Sequence, residues 1–348
     1  MLLPFEKPID DLQAKINDMR KYAEQQGIDI TGEISVLEKR LDKLKEETFK
    51  SLTRWQRVQV ARAPGRPTAL DYIQHMMPQF CELHGDRTLG DDPAIISGIG
   101  RFAGQTVVIV AQQKGRDTKE NIQRNFGMAH PSGYRKAMRM FDLANKFSFP
   151  VITLIDTPGA YPGISAEEQG QAWVIAESIQ RMSNLRVPAI SVIIGEGGSG
   201  GALAIGVANR VLILENAIYS VISPESCAAI LWRDSSEASK AAEALKLTAK
   251  DLHHLEIVDQ VIAEPPGGAH RDPKAAMAKL VEVLEHELQT LSTLSADELL
   301  QQRQVRFRKL GRFEAAQQVK KLKEQDFIPE GVAIPSESGE SYKSQPTD

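Results

Sequence analysis

Five glycines fall within seven residues, Gly195 to Gly201, inside the stretch ISVIIGEGGSGGALAIGVANR that runs from Ile190 to Arg210. An apolar run breaks there and resumes as small, helix-compatible residues, so a strand stops, side chains are cleared from the backbone, and a helix begins. Three chemistries fit that pattern. Gly195, Gly197 and Gly200 satisfy G-x-G-x-x-G, with Glu215 twenty residues on, as a dinucleotide site requires. Against it, only about ten residues remain for the helix and its exit, short for a crossover helix. Gly197 to Gly201 also match G-x-S-x-G, which would make Ser199 a nucleophile with His253, His254 or His270 and Asp251 or Asp259 completing a triad. No feature marks one of these histidines as the base. The third chemistry needs no reactive side chain. A helix start offers unpaired N–H groups and partial positive charge, and the Gly200 and Gly201 amides would then stabilise an oxygen that turns negative in a transition state. A fourth, structural reading has the glycines only permitting close helix–strand packing.

The elements that position this stretch can be read from periodicity. Residues 9–60 read as helix: Leu12, Ile16 and Met19 share a face, GIDITG interrupts with Gly27 and Gly32 as breakers, and Ile34, Leu37, Leu41, Leu44 and Thr48 resume the spacing. A helical hairpin or short coiled-coil arm follows from this, ending near RAPGRPT at Arg62–Thr68. AIISGIGRF and TVVIVAQQK predict two strands joined in a hairpin. A helix over about 134–147, the strand VITLID, the loop TPGAYPG and a helix over about 166–183 come next. AISVII leads into the glycines; VLILE, AIYSVI and a helix capped by Ser223 with Pro224 at its first position follow. The alternation predicts an α/β domain, with two βα junctions, Asp156–Gly163 and Gly195–Gly201, lining one cavity. A helix is expected over about 274–291, and the basic stretch 301–325 is expected to be a solvated surface helix rather than a nucleic-acid site.

The totals narrow the class. With 348 residues the chain can bury a substantial core, and a formal charge of −4 argues against a general polyanion-binding surface. Cys81 and Cys227 form no C-x-x-C pair, which leaves no zinc ribbon and fits a reducing compartment. No apolar run approaches the roughly 20 residues needed to span a bilayer, and MLLPFEKPIDDLQAK lacks a signal-peptide apolar region. A cytoplasmic protein is expected, with no membrane and no nucleic-acid partner.

Several long motifs in order carry a resemblance: RNFGMAHPSGYRKAMR (Arg124–Arg139), LIDTPGAYPG (Leu154–Gly163), IGEGGSGGALAIGV (Ile194–Val207), YSVISPESCAAILW (Tyr219–Trp232) and EPPGGAHRDP (Glu264–Pro273). Together they resemble the alpha subunits of the multi-subunit acetyl-CoA carboxylase carboxyltransferases, over the chain up to about residue 315. The resemblance implies a crotonase-like fold of stacked ββα units. It implies a beta-subunit partner, with zinc on that subunit only, in an assembly of two alpha and two beta chains. It implies transfer of a carboxyl group from carboxybiotin, presented on the biotin carboxyl carrier protein after biotin carboxylase has loaded it with ATP, to acetyl-CoA. The product is malonyl-CoA for fatty acid synthesis.

In that light Gly200 and Gly201 are expected to serve the ureido oxygen of biotin, a matching glycine pair on the beta subunit to serve the enolate, and the released ureido group to act as base. Gly159, Ala160, Tyr161 and Gly163 are expected in the pocket wall, with Gly197, Gly198 and Ser199 beside it. Lys114, Arg116, Arg135, Lys136 and Arg139 are candidates for CoA phosphates or the partner. The departures from the family pattern are Ala208 and Asn209, where Gly-Asp is expected, and a longer tail. The expected organisation is an arm at 1–62, a carboxyltransferase domain at 63–295, a basic helical extension at 296–327 and a disordered tail at 328–348. The rival readings are a Ser199 hydrolase and a non-catalytic crotonase-like scaffold.

Overall fold

A computed structural model describes residues 3–311; the expectations for residues 312–348 lie outside them. The arm is a pair of helices, α1 (Lys7–Gln26) and α2 (Thr31–Lys50). Ile9 and Ile16 from α1 and Leu41 and Phe49 from α2 form one apolar cluster with Val60, and Leu12, Ile34, Leu37 and Leu44 pack around it. Gly27 ends α1 in the left-handed region at φ 63°, where a side chain would be strained. Gly32, the second expected breaker, sits inside the first turn of α2, with the Asp29 carboxylate accepting from Thr31 N–H ahead of it. One glycine therefore makes the corner.

A third helix, α3 (Arg54–Ala61), starts with a capping box between Thr53 and Gln56. Its Val58 and Ala61 pack with Ile218, Ala242 and Leu247. After α4 (Ala69–Met76) and the two-residue β1 (Cys81–Glu82) come β2 (Ile95–Phe102) and β3 (Gln105–Gln112), paired antiparallel from Ile95↔Gln112 to Phe102↔Gln105. Ala103 and Gly104 both have positive φ, the two-residue turn that matches the twist of a tight hairpin. Short α5 (Thr118–Gln123) and long α6 (Pro131–Phe147) lead to β4 (Val151–Thr157). The single helix expected over about 166–183 is two, α7 (Ile164–Glu168) and α8 (Gln171–Ser183), because Gly170 at φ 82° breaks it.

The strand β5 (Ala189–Gly198) runs through the first three glycines instead of stopping before them, and α9 (Ser199–Leu203) is only five residues long. Then follow β6 (Arg210–Leu214), β7 (Ile218–Ser220), α10 (Pro224–Trp232), α11 (Ala238–Leu245), α12 (Ala249–His254), β8 (Gln260–Ile262), α13 (Pro273–Leu291) and α14 (Ala296–Lys309). As expected, the Ser223 side chain caps α10. The sheet order is β1-β2-β3-β4-β5-β6-β8, antiparallel up to β3 and parallel beyond it. Parallel strands covered on both faces are buried along their length, and β4 and β5 are, with Thr153 and Ser191 bonded to each other among the apolar residues. Along one edge β5 pairs first with β6 at Ile190–Ile193 and then with β7 at Glu196–Gly198, so the sheet divides where the glycines lie.

The basic stretch corrects an expectation. Arg303 on α14 is 1% exposed, and it donates to the carbonyls of Leu185 and Val187 and to the side-chain oxygen of Asn209. Arg306 is held by Asp259. Arg303 is thus a buried clip, whereas Arg308 and Lys309 are exposed. Asn209, one of the two departures from the family pattern, is the other half of that clip and also donates to Leu299 O at 2.8 Å.

Candidate active site

The two βα junctions meet backbone to backbone. A Cβ on Gly198 would overlap the Pro158 carbonyl, and one on Gly201 would lie 2.6 Å from Gly159 C and 2.9 Å from the Tyr134 hydroxyl. One on Gly195 would reach Asp156 Oδ1 at 2.5 Å, and one on Gly197 the Tyr219 ring at 2.7 Å. Real Cβ atoms do not approach so closely, so these four glycines are demanded by the chain's own packing. Gly200 differs: a Cβ there meets only Ile175, at an ordinary 3.5 Å. Close packing accounts for four of the five, though against a loop backbone, a carboxylate and a ring rather than between helix and strand, and an ordinary contact is left at Gly200.

Gly198 is the N-cap of α9, and no side chain caps the helix. The Gly200 and Gly201 amides occupy its first turn, where N–H groups have no intrahelical acceptor. With five residues α9 adds little macrodipole, so the bare N–H groups are what it offers. Gln112 Nε2 donates to Gly201 O at 2.8 Å and holds the peptide from below. Ser199 is exposed, with φ 57°, a left-handed conformation uncommon outside glycine.

The facing junction brings Gly159, Ala160 and Tyr161 together. Thr157 Oγ1 bonds to Gly159 O at 2.6 Å and accepts from Gly159 N–H at 3.1 Å. Tyr161 stacks on His130, ring centroids 4.0 Å apart. Gly163 is the N-cap of α7, and a Cβ there would press into the Tyr161 ring. The candidate basic residues are otherwise engaged. Lys136 is fully buried, its ammonium bonded to Asp91 and to Asp92 O, and Arg135 donates to Gln169 O. The Lys136 charge is taken up inside the protein, whereas the Arg135 guanidinium has Asp86 as its carboxylate only at 3.9 Å.

Sequence reasoning missed the ionic cluster beside the junctions. Lys114 Nζ lies 2.8 Å from Asp156 Oδ1 and 2.6 Å from Glu196 Oε2; Arg62 Nε reaches Glu196 Oε1 at 2.6 Å and also pairs with Glu225. Arg66 grips Glu264 with two bonds of 2.9 and 2.8 Å and donates to Ile194 O. Asn216 and Ala269 N–H add further bonds to Glu264. Arg62, Arg66, Lys114, Asp156 and Glu196 border a cavity of about 600 Å³ that also touches Pro158, Asn121 and Phe126. Burial raises the Glu196 carboxyl, but Lys114 and Arg62 outweigh it and bring its pKa to about 2. Burial likewise opposes the Glu264 charge, and Arg66 with Asn216 overcomes it, again to about 2. Burial works against the Lys114 charge too, and its two carboxylates hold it above the ordinary lysine value.

The dinucleotide reading fails on the length of α9 and because Glu215 is turned inward, accepting from Glu264 N–H at 3.2 Å. The hydrolase reading loses His270, whose Nε2 is bonded to Glu6 Oε1 at 2.9 Å in the arm. Among the described residues no group of His, Cys, Asp and Glu could hold a metal ion, and no helix is long and apolar enough to cross a membrane.

The architecture is that of the crotonase-like carboxyltransferases. It is shared with the transcarboxylase 12S hexamer solved with methylmalonyl-coenzyme A (TM-score 0.55, 20% identity, 67% of this chain and 42% of that one). It is shared equally with a Pseudomonas malonate decarboxylase hetero-tetramer in complex with coenzyme A (TM-score 0.54, 18% identity, 73% and 97%). At such identities the likeness speaks for the fold alone. Sequence takes it further: the chain belongs to the acetyl co-enzyme A carboxylase carboxyltransferase-like family, whose model matches residues 2–311. The acetyl-coenzyme A carboxylase carboxyl transferase subunit alpha of a Thermus thermophilus strain is 62% identical over 313 residues, covering 90% of this chain and 99% of the relative. The Deinococcus radiodurans subunit alpha is 57% identical over 304 residues, covering 87% and 96%.

Proposed function

We propose that this chain is the alpha half of a carboxyltransferase that, with a beta subunit, moves a carboxyl group from biotin on its carrier protein to acetyl-CoA and yields malonyl-CoA. The observation that carries the site assignment is the contrast at Gly200. The other four are glycine because the chain leaves no room, whereas a Cβ at Gly200 would make only an ordinary contact with Ile175, at the uncapped entrance of α9. Biotin supplies a ureido ring that carries the carboxyl group and takes up negative charge on its oxygen when that group leaves. The Gly200 and Gly201 amides would hold that oxygen, Tyr161 with His130 behind it would form the wall, and Ser199 would stand at the mouth. One such donor is worth about 3 kcal/mol in the transition state. The enolate oxygen of acetyl-CoA would be held by the beta subunit, in a cytoplasmic assembly of two alpha and two beta chains fed by biotin carboxylase.

Co-expression with a beta subunit and assay with carboxylated carrier protein and acetyl-CoA tests this. The expected result is malonyl-CoA only when both chains are present, and Gly200→Val folded and assembled but slowed by at least about tenfold. Malonyl-CoA from neither combination, or an unslowed Gly200→Val, overturns it.

A further inference from the structure

If both junctions wall one site, some element must fix their separation, and the end of β3 is built to do so. Lys114 lies two residues beyond β3, and its ammonium sits between a carboxylate from each junction, Asp156 and Glu196. Asp156 is placed where the β4–β5 register slips: Ile155 faces Ile193, but Thr157 faces Gly197. In that slip Asp156 Oδ1 accepts the Glu196 N–H at 2.9 Å, replacing a ladder bond. The lysine stem is confined as well, because a Cβ on Gly127 would come within 2.9 Å of Lys114 Cγ. Two residues earlier Gln112 holds Gly201 O, so this strand end grips both junctions.

The two carboxylate oxygens bond to one nitrogen, so they are no further apart than those two bonds end to end. Remove the ammonium and two like charges face each other in a largely buried place, with Arg62 shared between Glu196 and Glu225, and Arg66, bonded to Glu264, acting on Asp156 without a hydrogen bond. A shared proton can relieve part of that repulsion, and the junctions relieve the rest by separating. They are packed too tightly for a small shift to pass unnoticed, since reacting groups misplaced by about 1 Å can cost about 100-fold in rate.

We propose that Lys114 is a positioning residue that sets the spacing of the two glycine junctions, and through it the placement of the Gly200 and Gly201 amides, without touching substrate. The proposal rests on the functional reading above. The test uses the assembled alpha–beta enzyme and follows kcat, KM for acetyl-CoA and Tm. Lys114→Met is expected to lower kcat roughly 10- to 100-fold with KM within about twofold. The double variant Lys114→Met/Asp156→Asn removes the repulsion, keeps Glu196 paired with Arg62 and leaves an oxygen for the Glu196 N–H. It is expected to regain at least about threefold in kcat over the single variant, which a lysine contacting substrate would not allow. An unchanged kcat per assembled enzyme, or a double variant no faster than the single, overturns the proposal. If Lys114→Met does not fold, the double variant decides: kcat within about tenfold of the unsubstituted enzyme supports positioning, and a deeper loss overturns it. Absence of malonyl-CoA from the unsubstituted assembly is a different failure, that of the functional reading, and is visible before any variant is compared.

Discussion

At the junction 195–201 the structure is set by atoms that are absent; alongside it, around Lys114 and Arg66, it is set by charges that must all be present. The first region is a close approach of main chains and, Gly200 apart, has no tolerance for addition. The second is a balanced set of buried ions and has no tolerance for subtraction. The two kinds of constraint lie against each other because each does what the other cannot. Glycines let the junctions approach, and the ion pairs hold side chains at their ends without bringing bulk between them.

That contrast can be attacked from either side. Adding atoms at the packed end should do most damage: Gly201→Val is expected to cost more than about 100-fold in carboxyl transfer, because the new side chain must displace Gly159, Ala160 or Tyr134. Subtracting one charge comes next. Glu264→Gln leaves Arg66 buried with its chief partner gone, and denaturant titration should show a loss of about 3–5 kcal/mol. Acid should act on the same ions more gradually. Glu196 and Glu264 have pKa values near 2 in the folded chain against an ordinary 4.5, so their contribution is fully present above pH 4.5 and is lost as pH falls toward 2. Tm should hold near neutrality and fall below pH 4.5, less steeply in Glu264→Gln. The smallest effects belong to the open end. Gly200→Ala should keep or slightly raise Tm, since it has space and alanine favours a helix by up to about 1 kcal/mol. Ser199→Ala should change the rate by less than about threefold; abolished activity would restore the hydrolase reading.

The same contrast governs what could be read in advance. The strand, the glycines and the helix start are neighbours in the chain, so local periodicity and composition displayed them, as they did the hairpin before them. Lys114 read only as a candidate for CoA phosphates or the partner, not as an ion held between two carboxylates, for one of those carboxylates is 82 residues away. Lys136 and Arg303 misled in the same way. Charge in a sequence carries no mark of burial until its counter-charges are brought in from distant elements. The glycines misled more subtly: spacing showed that something approaches closely, but not that at four positions the visitor is the protein itself.

One link in the arm has a consequence in time. Glu6 is 3% exposed and is held by His270 and Arg271, 264 residues downstream in the case of His270; burial opposes its charge, and these two partners outweigh that. Arg54 and Arg62 likewise wait for Asp251 and Glu196. On a ribosome adding about 5–20 residues per second, the first helix would wait on the order of tens of seconds before its counterparts emerged. The opening segment of the chain is therefore among the last to be locked, and folding closes on its beginning.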